Sequence, residues 1–182
     1  MTSGDNIEGA VVFGDVVGFT AFTAAAGDTK ALAVVEHLER LIIDELPPGA
    51  RLVKNLGDGV MLWFPDAKAA VDTTVRLQQA FVAEGLGGDN PLWVRMGVHW
   101  GHQLTRGDDL IGHDVNVAAR VMDQAGPGEV LISDVTRQRV AGQLDGTVAF
   151  WEIGPATVKG VPEPIWIHRV ERVKNPATAR VQ

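Results

Sequence analysis

The stretch Gly9–Val16 (GAVVFGDV) constrains this chain most. It is short, apolar, rich in β-branched residues and bounded by glycine, so it reads as a buried strand rather than as one stripe of an amphipathic helix. Yet it carries Asp15 at its end, with Gly14 before it and Gly18 after. A carboxylate at the end of a buried strand has to be accounted for by some partner.

Beyond this strand the pattern alternates in kind. Gly18 with Phe19 and Thr20 reads as a turn entering a helix. Asp28 reads as the cap of a longer helix, with Leu32, Val35, Leu38 and Ile42 at helical spacing, ended by Pro47-Pro48-Gly49. Arg51 to Asn55 and Val60 to Phe64 read as strands joined by the tight turn Leu56-Gly57-Asp58-Gly59. Pro65-Asp66 opens a helix with Val71, Val75, Gln78 and Val82 along it. Leu92 to Trp100 reads as a strand that pairs with another near Gln103 to Arg106. A helix over His113 to Asp123, a short strand from Val130 to Ile132, a short helix capped by Ser133 and two or three C-terminal strands complete the pattern. The order strand, helix, strand, strand, helix, strand predicts an α/β (α+β) domain with a ferredoxin-like βαββαβ core and extra C-terminal strands. Residues 1–8 and 173–182 are expected as tails around a domain of 9–172.

Composition removes several chemistries. At 182 residues the chain favours one domain, large enough to fold without disulfides or structural metal. It has no cysteine, which excludes thiolate nucleophiles and Cys-ligated zinc. The net charge of -7, with no basic stripe, argues against a nucleic-acid partner. No run is long and apolar enough for a membrane span, and the polar N-terminus is no signal peptide, so a cytoplasmic location is expected. An acidic chain that binds polyphosphate must use local cations or metal ions.

Taken singly, the polar candidates are unremarkable. Asp58 at a Gly-Asp-Gly tip is ordinary turn chemistry. Lys54 would be a strand-end lysine, Arg120 a helix-surface charge, and Asp109 loop acidity beside Asp108. However, in a ferredoxin-like sheet the first and third strands are neighbours, so Asp15 and Asp58 converge, and paired carboxylates suit Mg²⁺ or Mn²⁺. Asn116 and Arg120, four apart on a helix, share one face, while Val117, Ala118 and Val121 are free to pack. His99, His102 and His113 form no metal-ligand pattern. There is no Gly-x-x-x-x-Gly-Lys-Ser/Thr phosphate loop. Gly87-Gly88-Asp89 resembles the start of a diguanylate-cyclase signature, which Asn90 and Pro91 break.

Three segments in order carry a specific resemblance. Phe13-Gly14-Asp15-Val16-Val17-Gly18-Phe19-Thr20, Lys54-Asn55-Leu56-Gly57-Asp58-Gly59 and Asp109-Leu110-Ile111-Gly112-His113-Asp114-Val115-Asn116-Val117-Ala118-Ala119-Arg120 resemble the motifs of class III nucleotide cyclases. Gly97-Val98-His99-Trp100-Gly101 and Val158-Lys159-Gly160 match weaker landmarks. The resemblance implies an adenylyl cyclase that turns ATP into 3′,5′-cyclic AMP and pyrophosphate. It implies that Asp15, Asp58 and the Val16 carbonyl bind two Mg²⁺ or Mn²⁺ ions per active site. Lys54 and Asp109 would read the base, with Phe19 and Thr20 also against substrate. Asn116 would hold the ribose, and Arg120 the charge that grows on phosphate in the transition state. Lys159 would reach the terminal phosphates, or be a turn lysine. Each site would draw on both chains of a homodimer. The alternatives are a guanylyl cyclase and a catalytically silent regulatory domain. Ile111, where many members carry an aromatic residue, and a short segment between His99 and Asp109 depart from the family pattern.

Overall fold

The structure is a computed structural model and describes residues 4–86, 92–157 and 163–173. In chain order its elements are β1 (Asn6–Val17), α1 (Phe19–Ala26), α2 (Asp28–Glu45), β2 (Arg51–Asn55), β3 (Gly59–Phe64), α3 (Ala67–Glu84) and β4 (Trp93–Arg106). There follow β5 (Asp109–Ile111), α4 (His113–Asp123), β6 (Val130–Ser133), α5 (Asp134–Arg139), β7 (Val148–Ala156) and β8 (Ile165–Arg172). The strands form one sheet in the order β2-β3-β1-β4-β6-β8-β7, with β5 paired to β4. The first four positions are the ferredoxin-like order that the sequence predicts, and β6, β8 and β7 extend it.

β1 is central because both of its faces are covered. Ala10, Val12 and Val16 join the core under α1, α2 and α3, together with Leu62, Phe64, Val98 and Ile132. Val11 and Phe13 point the other way and meet Met61, Leu110, Val115 and Ala118. A strand with two dry faces must be apolar at almost every position, which is why Gly9–Val16 shows no alternation. The second face is covered by α4, which also packs Val117 and Val121 against Leu131 and Ile167 of β6 and β8. Helix α4 therefore bridges the ferredoxin-like half and its extension.

Several expectations change. Leu92 to Trp100 and Gln103 to Arg106 are one strand, β4, that runs through Gly101, and its hairpin partner is β5. Gly101 is a close-approach site within the strand: a Cβ there would lie 2.1 Å from Asp114 Oδ2. Gly97, on the same face, would put a Cβ 2.2 Å from the Met122 nitrogen. The two glycines let α4 lie directly on β4 at both of its ends. Gly97→Ala is expected to push α4 off the sheet and to destabilise the domain by roughly 1–3 kcal/mol, the usual penalty of overpacking, read as a lower urea midpoint.

The buried stripe of α2 is Ala31, Val34, Leu38 and Ile42, and Leu32 is 59% exposed. On α3, Val71 and Val75 are buried with Leu77 and Phe81, whereas Val82 is exposed. Leu38 and Ile42 of α2 and Val71 and Val75 of α3 are buried as expected, whereas Leu32, Val35, Gln78 and Val82 give way to Ala31, Val34, Leu77 and Phe81 one residue earlier. Asp28 does not cap α2: Gly27 holds that place with no side-chain bond, and Asp28 is the first helical residue. Asp66 and Ser133 do cap their helices, accepting from the amides of Ala69 and Thr136. Among the described residues no helix is long and apolar enough to cross a membrane.

Candidate active site

The polar residues singled out from the sequence stand in three groups. The first is at the C-terminal end of β1. Asp15 is opposite Gly59 in the antiparallel register, and the Val16 amide donates to the Asp58 carbonyl at 3.2 Å. The turn between β2 and β3 closes with Leu56 N–H to the Gly59 carbonyl at 2.7 Å, and Gly57 takes a positive φ of 82°. These contacts bring the Asp58 backbone beside the Asp15 strand end, as the topology predicts. Asp15 is partly buried and already paired. Arg95, directly opposite on β4, donates from Nε at 3.0 Å and Nη2 at 2.8 Å to its Oδ2. The sequence reading missed Arg95. Its signal was cross-strand register, since it precedes Gly97 on the strand beside Asp15.

The first group offers oxygen ligands: the Asp15 carboxylate and nearby backbone carbonyls, with Asp58 beside it in the turn. That donor set fits a hard divalent ion such as Mg²⁺ or Mn²⁺. Among the described residues no three His, Asp or Glu gather closely enough to hold an ion. Further ligands at such a centre would be water or substrate oxygens, as suits a centre that holds a polyphosphate.

The second group joins distant strands. Lys54 Nζ lies 2.7 Å from Asp109 Oδ1 and 2.8 Å from Oδ2. The β4–β5 hairpin folds back over the sheet, and Leu110, 1% exposed, anchors it on Val11, Phe13 and Met61. Asp109 is thus a strand residue rather than loop acidity. Its carboxyl is held below the usual carboxylate range, chiefly by the Lys54 ammonium and also by the Leu110 amide, against the opposing effect of burial. It is therefore ionised at neutral pH.

The third group is on α4. Asn116 and Arg120 are both exposed on the helix face turned away from the sheet. Arg120 Nη1 donates to Asp123 Oδ2 at 2.8 Å, an exposed pair of the kind that contributes little to stability. The helix is tied to the sheet by Asp114, whose Oδ2 accepts the His102 amide. His99 is buried, with Nδ1 2.7 Å from Ser133 Oγ and Nε2 3.6 Å from Asp114 Oδ1. It is a packing histidine, in keeping with the sequence reading.

Phe19 and Thr20 begin α1, just after the first group. Phe19 stacks on Phe22 with ring centroids 6.4 Å apart, and Thr20 is exposed. The N-terminus of α1 has Gly18 as its cap, with no side-chain cap bond and no acidic residue in the first turn. Lys159 and the Gly87-Gly88-Asp89 segment lie outside the described residues.

A cavity of about 400 Å³ lies between α3 and strands β6 and β8, lined by Val75, Gln78, Val82, Val130 and Arg169 among others, and it holds none of the candidate residues. Lys54, Asp109 and Arg120 keep 37%, 39% and 44% of their side-chain surface open to solvent.

Comparison with known proteins gives the family and the fold. The family described as adenylate and guanylate cyclase catalytic domain matches residues 2–171. A pH-sensitive adenylate cyclase of Mycobacterium tuberculosis (strain CDC 1551 / Oshkosh) is 31% identical over 163 residues, 89% of this chain. The chain spans 40% of the length of that relative. Among solved structures, the catalytic core of a rhodopsin-guanylyl cyclase with converted specificity, in complex with ATPαS, has a TM-score of 0.83 at 22% identity. The alignment covers 93% of this chain and 98% of that one. The adenylyl cyclase CyaB from P. aeruginosa has a TM-score of 0.75 at 24% identity, over 94% of this chain and 97% of that one. Both structural likenesses speak to the fold. A family match over nearly all of the chain, on a sheet with the same architecture, means that the chain belongs to the class III adenylate and guanylate cyclase catalytic-domain family.

Proposed function

We propose that this domain is an adenylyl cyclase that forms 3′,5′-cyclic AMP and pyrophosphate from ATP, in two equivalent sites shared across a homodimer. The observation that carries the choice of ATP is the Lys54–Asp109 pair. A lysine ammonium has three donors and a carboxylate has about four acceptor positions, so the bond between them leaves both with capacity to spare. Adenine offers an acceptor at N1 and a donor at its exocyclic N6, which match Lys54 and Asp109. Guanine reverses both polarities, setting donor against donor and acceptor against acceptor. Mispaired polar groups of this kind discriminate strongly.

In the reaction the ribose 3′-oxygen attacks the α-phosphorus in line. The bond from that phosphorus to the bridging oxygen breaks, pyrophosphate leaves, and the hydroxyl proton passes to solvent. Asp15, Asp58 and the Val16 carbonyl would hold two Mg²⁺ or Mn²⁺ ions. When bound, such ions supply Lewis acidity and neutralise the triphosphate. Arg95 orients Asp15 from one side, both of its bonds falling on Oδ2 and leaving Oδ1 unclaimed by the guanidinium. The open amides at the start of α1, at Phe19 and Thr20, face negative charge favourably. Asn116 orients the ribose, and Arg120 one turn later meets the phosphate charge that grows in the transition state.

Exposure supports sharing between chains. Polar groups this open would hold nucleotide weakly in a lone chain, and a second copy would supply the missing wall. The test is cyclic-nucleotide production from ATP and from GTP, with Mg²⁺ and then Mn²⁺. Cyclic AMP in at least about tenfold excess over cyclic GTP at matched substrate is expected. Equal turnover of both, or nucleotide binding without pyrophosphate release, would replace this reading with a non-selective cyclase or a silent regulatory domain.

A further inference from the structure

Arg51 and Lys54 are three apart on β2, so in an unbroken strand they would point to opposite faces. The register against β3 shows otherwise. Arg51 is opposite Trp63 and Leu52 opposite Leu62, but Lys54 is opposite Met61, with the shift between Leu52 and Lys54. Val53 is the extra residue of a β-bulge, and the bulge turns Lys54 onto the face that carries Met61 and Trp63. Arg51 is on that face too, its guanidinium carbon 5.8 Å from the centroid of the Trp63 ring.

The β4–β5 hairpin folds over the same face and meets both cations at adjacent residues. Arg51 Nη1 donates to the Asp108 carbonyl at 3.1 Å, and Lys54 holds the Asp109 carboxylate. The platform under Arg51 is itself fixed. Trp63 Nε1 donates to Gln103 Oε1 at 3.1 Å, and Gln103, 1% exposed, donates from Nε2 to the Gly9 carbonyl at 3.1 Å. A chain of contacts thus runs from the central strand through Gln103, Trp63 and Arg51 to the backbone one residue before Asp109.

We propose that Arg51 is a positioning residue for base recognition: stacked on Trp63, it holds the Asp108 carbonyl and so fixes where Asp109 presents its acceptor beside Lys54. The inference rests on the reading that Lys54 and Asp109 recognise the base. It assigns the Val53 bulge a purpose, since without the extra residue Arg51 and Lys54 could not both face the hairpin. Arginine is needed because a planar guanidinium stacks on an indole and donates at its edge at the same time, which an ammonium does not.

The experiment measures kcat and KM for ATP and for GTP in wild type, Arg51→Ala, Arg51→Lys and Asp109→Ala, with thermal melts of each. Arg51→Ala is expected to lower the ATP-to-GTP ratio of kcat/KM by roughly three- to tenfold, the net worth of one ordinary hydrogen bond, mostly through KM for ATP. Arg51→Lys should move the ratio in the same direction by less, and it remains informative if the alanine variant folds poorly. An unchanged ratio in both Arg51 variants, beside a collapsed ratio in Asp109→Ala, overturns the proposal and leaves base recognition by Asp109 standing. An equal loss for both nucleotides overturns it as well, since that marks a merely structural role. A wild-type ratio in Asp109→Ala removes the base-reading assignment, and the role of Arg51 with it.

Discussion

A one-to-one mixture of Asp15→Ala and Lys54→Ala chains should regain about a quarter of wild-type turnover, although each variant alone is inactive. The expectation follows from how a two-fold dimer divides its residues. Lys54 and Asp58 belong to the same β2–β3 hairpin, yet Lys54 bonds across the sheet to Asp109 while Asp58 stands beside Asp15. If one chain supplies the carboxylates and its partner the base-reading pair, a mixed dimer holds one doubly damaged site and one intact site. Random pairing makes half of the dimers mixed, which gives the quarter. Each homodimeric variant should fall by a factor of about 10³ or more, because Asp15 is asked for metal binding and Lys54 for a base contact made twice per dimer. The check is cyclic AMP formation across mixing ratios, which should peak near equal amounts. Activity in either variant alone, or none in any mixture of folded chains, would mean that one chain builds its own site.

The second large effect is at Arg120. Arg120→Ala should reduce kcat by about 10²–10³-fold with little change in KM, because a cation aimed at charge that exists only in the transition state contributes to the barrier and not to the ground state. Stability should hardly change. The side chain is 44% exposed and its bond to Asp123 is an i,i+3 surface pair, worth only a few tenths of a kcal/mol. The combination is diagnostic, since a structural arginine would lose melting temperature along with turnover. Arg120→Lys should recover part of kcat, as it restores the charge without the fork that fits phosphate oxygens. Loss of KM with kcat intact would instead make Arg120 a ground-state phosphate contact.

Much of this was legible in the chain itself. Gly9–Val16 announced a buried strand because two covered faces demand apolar residues at almost every position, and the structure buries Ala10, Val11 and Val12 completely. The span of α4, His113–Asp123, was read without error, since an amphipathic period and a Gly-Pro-Gly stop are local signals. The neighbourhood of Asp15 and Asp58 followed from topology. What failed was phase and long-range pairing. Half of each stripe on α2 and α3 was set one residue off: Leu32 and Val82 are exposed and Ala31 and Phe81 are buried in their place, while Leu38, Ile42, Val71 and Val75 are buried as read. Leu92–Trp100 and Gln103–Arg106 were read as two strands, because nothing nearby in sequence reveals that β4 runs on through Gly101 with Asp114 pressed against it.

The sequence by itself determined the order of the βαββαβ core, the β2–β3 turn and the helix starts at Asp66 and Ser133, all of which depend on neighbours within a turn or two, and it nominated the candidate residues. Only the tertiary structure decided who meets whom: Arg95 with Asp15, Lys54 with Asp109, and Arg51 with the Asp108 carbonyl. The physical reason is that these contacts depend on strand register and on the bulge at Val53. A single extra residue inverts which face a side chain occupies, yet it leaves the local pattern Arg-Leu-Val-Lys-Asn looking like any short strand.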